Sequence, residues 1–278
     1  MSLYITSLNS GSNGNCYYVS TEEDAILVDA GISCRETEMR MKRLGLSIKK
    51  VKAIFVSHEH ADHISGIQVL SKKHQIPVYI TKGTQSHGKV KVERRLVFRF
   101  SADVPIRIGD LSITAFSKYH DAKDPHSFMV SSASVSVGIF TDIGIACEKV
   151  ISHFKQCHAA FLEANYDEDM LANGSYPYYL KKRISGGMGH LSNTQALQLV
   201  KSHKPPFMSH LVLSHLSANN NSPGLVGDIF SKHVKKTKVI IASRYEETPV
   251  YHICNDGGLA PQMKKRESRT EQTQLSMF

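Results

Sequence analysis

The chain has 278 residues, 41% of them hydrophobic, and its 34 basic against 25 acidic side chains give a formal net charge of +9 and an isoelectric point near 9.2. That length supports a sizeable core. No apolar run approaches the roughly 18 residues that cross a bilayer, and Met1-Ser2-Leu3-Tyr4-Ile5-Thr6 lacks the basic-then-apolar order of a secretory leader. Five widely spaced cysteines without a C-x-x-C point to buried thiols in a reduced, cytoplasmic setting rather than to a disulfide framework. The positive charge favours polyanionic partners, above all nucleic acid, although charge alone equally describes a generic basic surface.

In chain order, Tyr4 to Leu8, Cys16 to Val19 and Ala25 to Asp29 are expected as opening strands. The Gly-, Ser- and Asn-rich loop from Asn9 to Asn15 joins the first two and leaves room for backbone to approach a ligand. Ser33 to Glu36 has the spacing of a capping box for a helix that runs to about Leu44 and stops at Gly45. Ala53 to Ser57 is a short β-branched apolar run expected as a buried strand, and Ile64 to His74 as a helix. Strands are expected near 77–81, 96–100, 111–117 and 135–141, then a helix near 146–157 and a strand at Ala159 to Leu162. Short helices near 167–172 and 177–183 precede a second capping box at Ser192 to Gln195, whose helix runs to about His203. A strand at 208–214, a helix at 224–235 and a strand at 237–242 complete the core. The order implies two packed sheets with helices outside, an α/β (α+β) arrangement over residues 1–255. Residues 256–278 turn charged and aperiodic, as expected of a flexible tail.

Between the strand at 53–57 and the next helix lies His58-Glu59-His60-Ala61-Asp62-His63, an H-x-H-x-D-H pattern. Imidazole and carboxylate are the ligands that zinc and manganese prefer. Residues two apart on extended backbone point the same way, so His58 and His60 can grip one ion. The carboxyl end of a strand just before a helix is where α/β proteins build sites. Four further ligand types stand at strand ends: Asp29, His120, Asp142 and His215. The remaining histidines, His126 among them, are assigned to surface or core.

In this order and context these residues resemble the metallo-β-lactamase-fold hydrolases. The resemblance implies a four-layer αββα sandwich holding two divalent ions, zinc or manganese, with iron also accepted. His58, His60 and His120 would bind one ion, Asp62, His63 and His215 the other, and Asp142 would bridge them. Asp29 would orient a ligand of the loop, and Asp62 would also orient the attacking hydroxide.

Glu163, closing a strand, and His190 in Gly189-His190-Leu191-Ser192-Asn193 resemble the acid–histidine pair of transfer-RNA-processing nucleases in this superfamily, where the histidine helps protonate the leaving group. The opening S-G-S-N-G-N-C, the V-S-H-E-H-A-D-H loop, the E-A-N-Y-D segment, Tyr176-Pro177 and G-H-L-S-N resemble the WalJ/YycJ type of bacterial protein over about residues 1–255. That similarity implies a metal-dependent DNA nuclease of the 5′-to-3′ exonuclease type, active in repair or replication, with DNA favoured over RNA. A small-molecule phosphodiesterase or thioesterase of the same fold, and a non-catalytic metal-binding protein associated with a clamp, are the alternatives. Lys181, Lys182 and Arg183 are candidates for holding flanking phosphates, although a solvated helix face is the simpler reading. Gln274-Leu275-Ser276-Met277-Phe278 resembles the pentapeptide that docks on the bacterial sliding clamp, with Gln274, Leu275 and Phe278 as the contacts.

Overall fold

Two seven-stranded mixed sheets face one another in the computed structural model, which describes residues 2–255. The tail segment expected from residue 256, with Gln274, Leu275 and Phe278, lies outside the described residues. Strands β1 (Leu3–Asn9), β2 (Cys16–Ser20), β3 (Ala25–Val28), β4 (Val51–Phe55), β5 (Val78–Tyr79) and β6 (Val97–Phe98) follow one another across the first sheet. The second sheet runs in space from β7 (Ile106–Ile108) through β8 (Leu111–Ser117), β9 (His126–Ser132), β10 (Val135–Phe140), β11 (Ala159–Glu163) and β12 (His210–Ser214) to β13 (Lys238–Ile241). β14 (Tyr251–Ile253) returns to pair with the free side of β1. Each sheet is antiparallel on one side and parallel on the other: β3 to β6 and β10 to β13 run parallel.

The helices are α1 (Cys34–Arg43), α2 (Ala61–Ile64), α3 (Ile67–His74), α4 (Lys82–His87), α5 (Glu148–Phe154), α6 (Glu168–Asn173), α7 (Tyr178–Ser185), α8 (Asn193–His203) and α9 (Pro223–His233). Period-two alternation sorts the strands' side chains between layers. On β2, Tyr17 and Val19 enter the core between the sheets, while Cys16 and Tyr18 pack on the outer side with Met41 of α1 and Ile67 and Leu70 of α3. On β11, Ala159 and Phe161 face inward, and Ala160 and Leu162 meet Phe154 of α5, Leu199 of α8 and Phe230 of α9. The result is the expected four-layer αββα sandwich.

Several local expectations change. Only the second capping box is reciprocal: Ser192 Oγ accepts from Gln195 N while Gln195 Oε1 accepts from Ser192 N. At the first, Ser33 caps Glu36 N, but the Glu36 carboxylate turns to Arg40 Nε at 2.7 Å, an ion pair in place of the return bond. The helix expected over 64–74 begins only at Ile67, as α3, while the short α2 takes Ala61 to Ile64 within the motif; Gly66 between them donates its N–H to Ala30 O. A Cβ on Gly66 would stand 1.9 Å from Ile32 O, so only glycine permits this approach. β7, α4, β9 and β14 were not expected. β9 is buried on both faces, so His-Ser-Phe-Met-Val-Ser-Ser shows no alternation, and β7 and β14 have three residues each. Cys16, Cys34 and Cys157 are buried, as expected of structural thiols. Among the described residues no helix is long and apolar enough to cross a membrane.

A candidate two-ion metal centre at the carboxyl ends of the parallel strands

The ends of six strands bring the site together. Asp29 follows β3, the His58–His63 loop follows β4, His120 follows β8, Asp142 follows β10, Glu163 closes β11 and His215 follows β12. Three of these residues leave their strands in the left-handed conformation: Asp29 at φ 62°, Asp142 at φ 56° and His215 at φ 57°. Non-glycine residues seldom adopt it, although Asp and His do so more readily than β-branched side chains. The turn reverses the chain at once and leaves each side chain aimed across the strand ends.

Two ligand groups result. In the first, Nε2 of His58 and Nε2 of His120 stand 3.1 and 3.2 Å from Nδ1 of His60. Zinc–nitrogen bonds of 2.0–2.1 Å at tetrahedral angles place ligand nitrogens roughly 3.3 Å apart, so the three lone pairs converge as a cation requires. In the second group, Asp62 Oδ2 lies 3.4 Å from His63 Nε2 and 3.3 Å from His215 Nε2. Asp142 stands between the groups, with Oδ2 3.2 Å from His63 Nε2 and Oδ1 3.6 Å from His215 Nε2 and 3.9 Å from His120 Nε2. Its Oδ2 is buried without a hydrogen-bond partner, an acceptor that a cation would satisfy. The donor set therefore fits two divalent ions.

The other nitrogen of most of these rings is committed elsewhere, which fixes the one facing the site. His63 Nδ1 lies 2.7 Å from Asp29 Oδ2, whose carboxylate also accepts from Ser57 N and Ser57 Oγ at 2.8 Å each. His58 Nδ1 meets Ser57 Oγ at 2.9 Å, His120 Nδ1 meets Gly189 O at 3.0 Å, and His215 Nδ1 meets Glu163 Oε1 at 3.1 Å. Asp29 thus lies one hydrogen bond behind the loop.

Electrostatics divides the groups. Burial pulls the rings of the first group down: His58 well below the ordinary range, His60 lower, and His120 to about 4, leaving neutral nitrogens to offer lone pairs. Burial opposes charge on His63 and His215 too, but the Asp142 and Asp62 carboxylates outweigh it, raising His63 well above its usual value and His215 to about 10. Asp142, despite burial, is held well below the carboxylate range by His215 and His63.

Glu163 is wholly buried and links the site to His190. Its Oε1 lies 2.8 Å from His190 Nδ1, and its Oε2 accepts from Ile143 N at 2.7 Å and Leu191 N at 3.2 Å. Despite burial, His190 and His215 hold its carboxyl down at about 2. His190 Nδ1 is also 3.7 Å from Asp142 Oδ1, which brings Glu163 and His190 beside the candidate ligand groups.

The structure adds residues that sequence reasoning missed. Asn15 Nδ2 reaches Asp62 Oδ2 at 3.0 Å and His63 Nε2 at 3.1 Å, and its N–H donates to Asp62 O at 2.7 Å. Through Asn15 the loop braces the motif. Gly31 allows that closeness, since a Cβ there would lie 1.6 Å from Asp62 O. Asn165 Nδ2 donates to His215 O at 2.8 Å, and Ser10 Oγ accepts from His215 N at 2.8 Å. Lys118 is buried beside the centre, donates to Thr141 O at 2.7 Å, and is pulled below the ordinary lysine range by that burial. Asp121 bonds Arg183 through Oδ2, while its buried Oδ1 lies 3.4 Å from His120 Nε2 without a hydrogen bond. Ser10, Asn15 and Asn165 fall within the S-G-S-N-G-N-C and E-A-N-Y-D segments that carry the resemblance, but what each of these residues does is defined by what lies across space from it.

His126 is no ligand. It opens β9, its Nδ1 lies 2.9 Å from Asp124 O, and its ring meets the Phe100 ring edge-on, as a core histidine. Cys34, Glu38 and His74 also cluster, but Glu38 is already paired with Lys73 at 2.7 Å and His74 at 2.5 Å.

An αββα frame with histidines and carboxylates gathered at the carboxyl ends of its parallel strands defines a metallo-β-lactamase-fold hydrolase. The chain belongs to that superfamily: the family model for the beta-lactamase superfamily domain matches residues 24–216. It is 35% identical to exodeoxyribonuclease YycJ of Bacillus anthracis over 226 residues, 80% of this chain and 85% of that one. It is 30% identical to exodeoxyribonuclease WalJ of Streptococcus pneumoniae over 221 residues, 77% of this chain and 81% of that one. Among solved structures, the metallo-β-lactamase-fold protein YhfI from Bacillus subtilis superposes with a TM-score of 0.72 at 17% identity, covering 91% of this chain and 100% of its own, a likeness of fold alone.

Proposed function

We propose that this hydrolase cleaves phosphodiesters with two divalent ions, and that its substrate is DNA, attacked as by a 5′-to-3′ exonuclease in cytoplasmic repair or replication. The observation that carries this reading is the Glu163–His190 pair set against the metal centre. Hydrolysis of an acyl bond activated by a thiolate needs no proton for its leaving group, whereas an alkoxide leaving phosphorus does. The relatives named exodeoxyribonuclease support the same choice of bond.

His58, His60 and His120 would hold one cation, and Asp62, His63 and His215 the other, with Asp142 between. Such ions, zinc, manganese or iron by ligand type, supply a hydroxide at neutral pH and charge to stabilise the transition state. Asp62, with one oxygen 3.0 Å from Asn15 Nδ2, is fixed to orient the attacking group. Glu163 takes His190 Nδ1, which leaves Nε2 to hand a proton to the departing oxygen. Lys181, Lys182 and Arg183 on α7, where Arg183 bonds Asp121 next to His120, would hold the flanking phosphates of a polyanionic substrate.

The test is degradation of 5′- and 3′-labelled duplex and single strands by the purified protein with manganese or zinc. Release of 5′ nucleotides, abolished by His58→Ala, is the expected result. Failure on DNA and RNA across several metals would end the nuclease reading. The Gln274–Phe278 segment, outside the described residues, is proposed on sequence alone to dock on the sliding clamp. A chain lacking 274–278 should lose clamp binding in a pull-down, and equal binding would remove the idea.

A further inference from the structure

We infer that the outer face of α7 is a stacking platform on which a single strand of nucleic acid is led into the metal centre; this deepens the phosphodiesterase reading and rests on it. α7 presents two adjacent tyrosines to solvent, Tyr178 at 72% and Tyr179 at 74% exposure. Scattered exposed aromatics need no explanation, but these two form part of an ordered array. Residues four apart on a helix share a side, giving two rows, Tyr178 with Lys182 and Tyr179 with Arg183. Lys182 Nζ lies 5.1 Å from the centre of the Tyr178 ring. Beside it runs a groove of about 360 Å³ lined by Ala172, Tyr178, Lys181, Lys182 and Ser185.

The second row points at the chemistry. Arg183 bonds Asp121, the neighbour of His120, and the next residue, Ile184, accepts from His190 N at 2.9 Å. The helix is therefore clamped to both the metal group and the acid–histidine pair at its carboxyl end. Tyr179 stands one turn outward from Arg183, about 6 Å along the axis at 1.5 Å per residue. Ring faces alternating with cations suit one kind of ligand. Every base has a π-face to stack, whatever the sequence, and the cations follow the phosphates between bases. An acidic peptide would use the cations and leave both rings bare.

The experiment compares kcat/KM on a single-stranded DNA oligonucleotide with kcat/KM on a dinucleotide, the shortest strand that carries a phosphodiester. Tyr178→Ala/Tyr179→Ala should lower the ratio of the two at least ten-fold through KM, while Tyr178→Phe/Tyr179→Phe keeps it, with melting temperatures confirming that both variants fold. An unchanged ratio in the alanine pair, with the wild type cutting the oligonucleotide, overturns the platform and leaves the phosphodiesterase reading standing. Equal loss in the phenylalanine pair also overturns it, since hydroxyls rather than ring faces would then make the contact. A wild type that hydrolyses bis(p-nitrophenyl) phosphate but cuts neither DNA nor RNA removes the nucleic-acid substrate and the platform together.

Discussion

Oε1 of Glu163 lies 2.8 Å from Nδ1 of His190. The same oxygen is 3.1 Å from Nδ1 of His215, so one buried carboxylate positions both a candidate metal ligand and a candidate proton donor. Two functions that looked separable in the sequence share a single support.

His190→Ala should lower kcat on DNA by about 10²–10⁴-fold, the range for a lost general acid, with metal content retained. The loss should be much smaller on bis(p-nitrophenyl) phosphate, whose leaving group departs without a proton. Glu163→Gln should lower both rates, because it also loosens His215. Equal loss on the two substrates in His190→Ala would remove its role as the acid.

Asp142 spans both ligand groups with an orphaned oxygen. Asp142→Asn should reduce bound metal from two ions per chain towards one, measured by elemental analysis after dialysis, and lower activity at least as far as a chelator does. Retention of two tightly held ions would show that Asp142 does not bridge.

Asp29 is wholly buried and receives three hydrogen bonds, from Ser57 N, Ser57 Oγ and His63 Nδ1. Asp29→Ala leaves buried Ser57 N without a partner and His63 Nδ1 with only the 3.3 Å contact to Ser57 Oγ, which should cost about 3 kcal/mol of stability. Loss of the support behind His63 should weaken metal binding by about 10–100-fold. Urea unfolding and competition with a chromogenic chelator measure the two effects separately.

His210, at the opposite end of β12 from His215, is 5% exposed and is pushed by burial, with help from Lys238, down to about 4. The folded ring therefore stays neutral at pH 5, while the unfolded chain binds a proton below about 6.5. With the unfolded state holding more protons, stability falls as pH drops from about 6.5 towards 4. Between pH 7 and 5 the wild type should lose up to about 2 kcal/mol more than His210→Gln, read from urea midpoints of metal-loaded protein. Parallel pH profiles would contradict the assignment.

The sequence by itself marked the loop from His58 to His63 as a candidate metal site, because His58, His60, Asp62 and His63 lie close enough along the chain for their spacing to suggest one. It also determined Asp29, His120, Asp142 and His215 as strand-end residues, and the strands whose two faces meet different layers, such as β2 and β11, because alternation and ligand type are local properties. β9 was not legible, since burial on both faces erases alternation, and neither were β7 and β14, too short to show a period. The tertiary structure alone decided which ends meet. Parallel pairing of β3 with β4, and of β10, β11 and β12, sets their carboxyl ends side by side, and left-handed turns at Asp29, Asp142 and His215 aim side chains across the gap. Asn15 behind Asp62, Glu163 beneath two histidines and α7 clamped to the rim are distances between residues far apart in the chain. Such distances are set by packing of the whole molecule, and no local spacing records them.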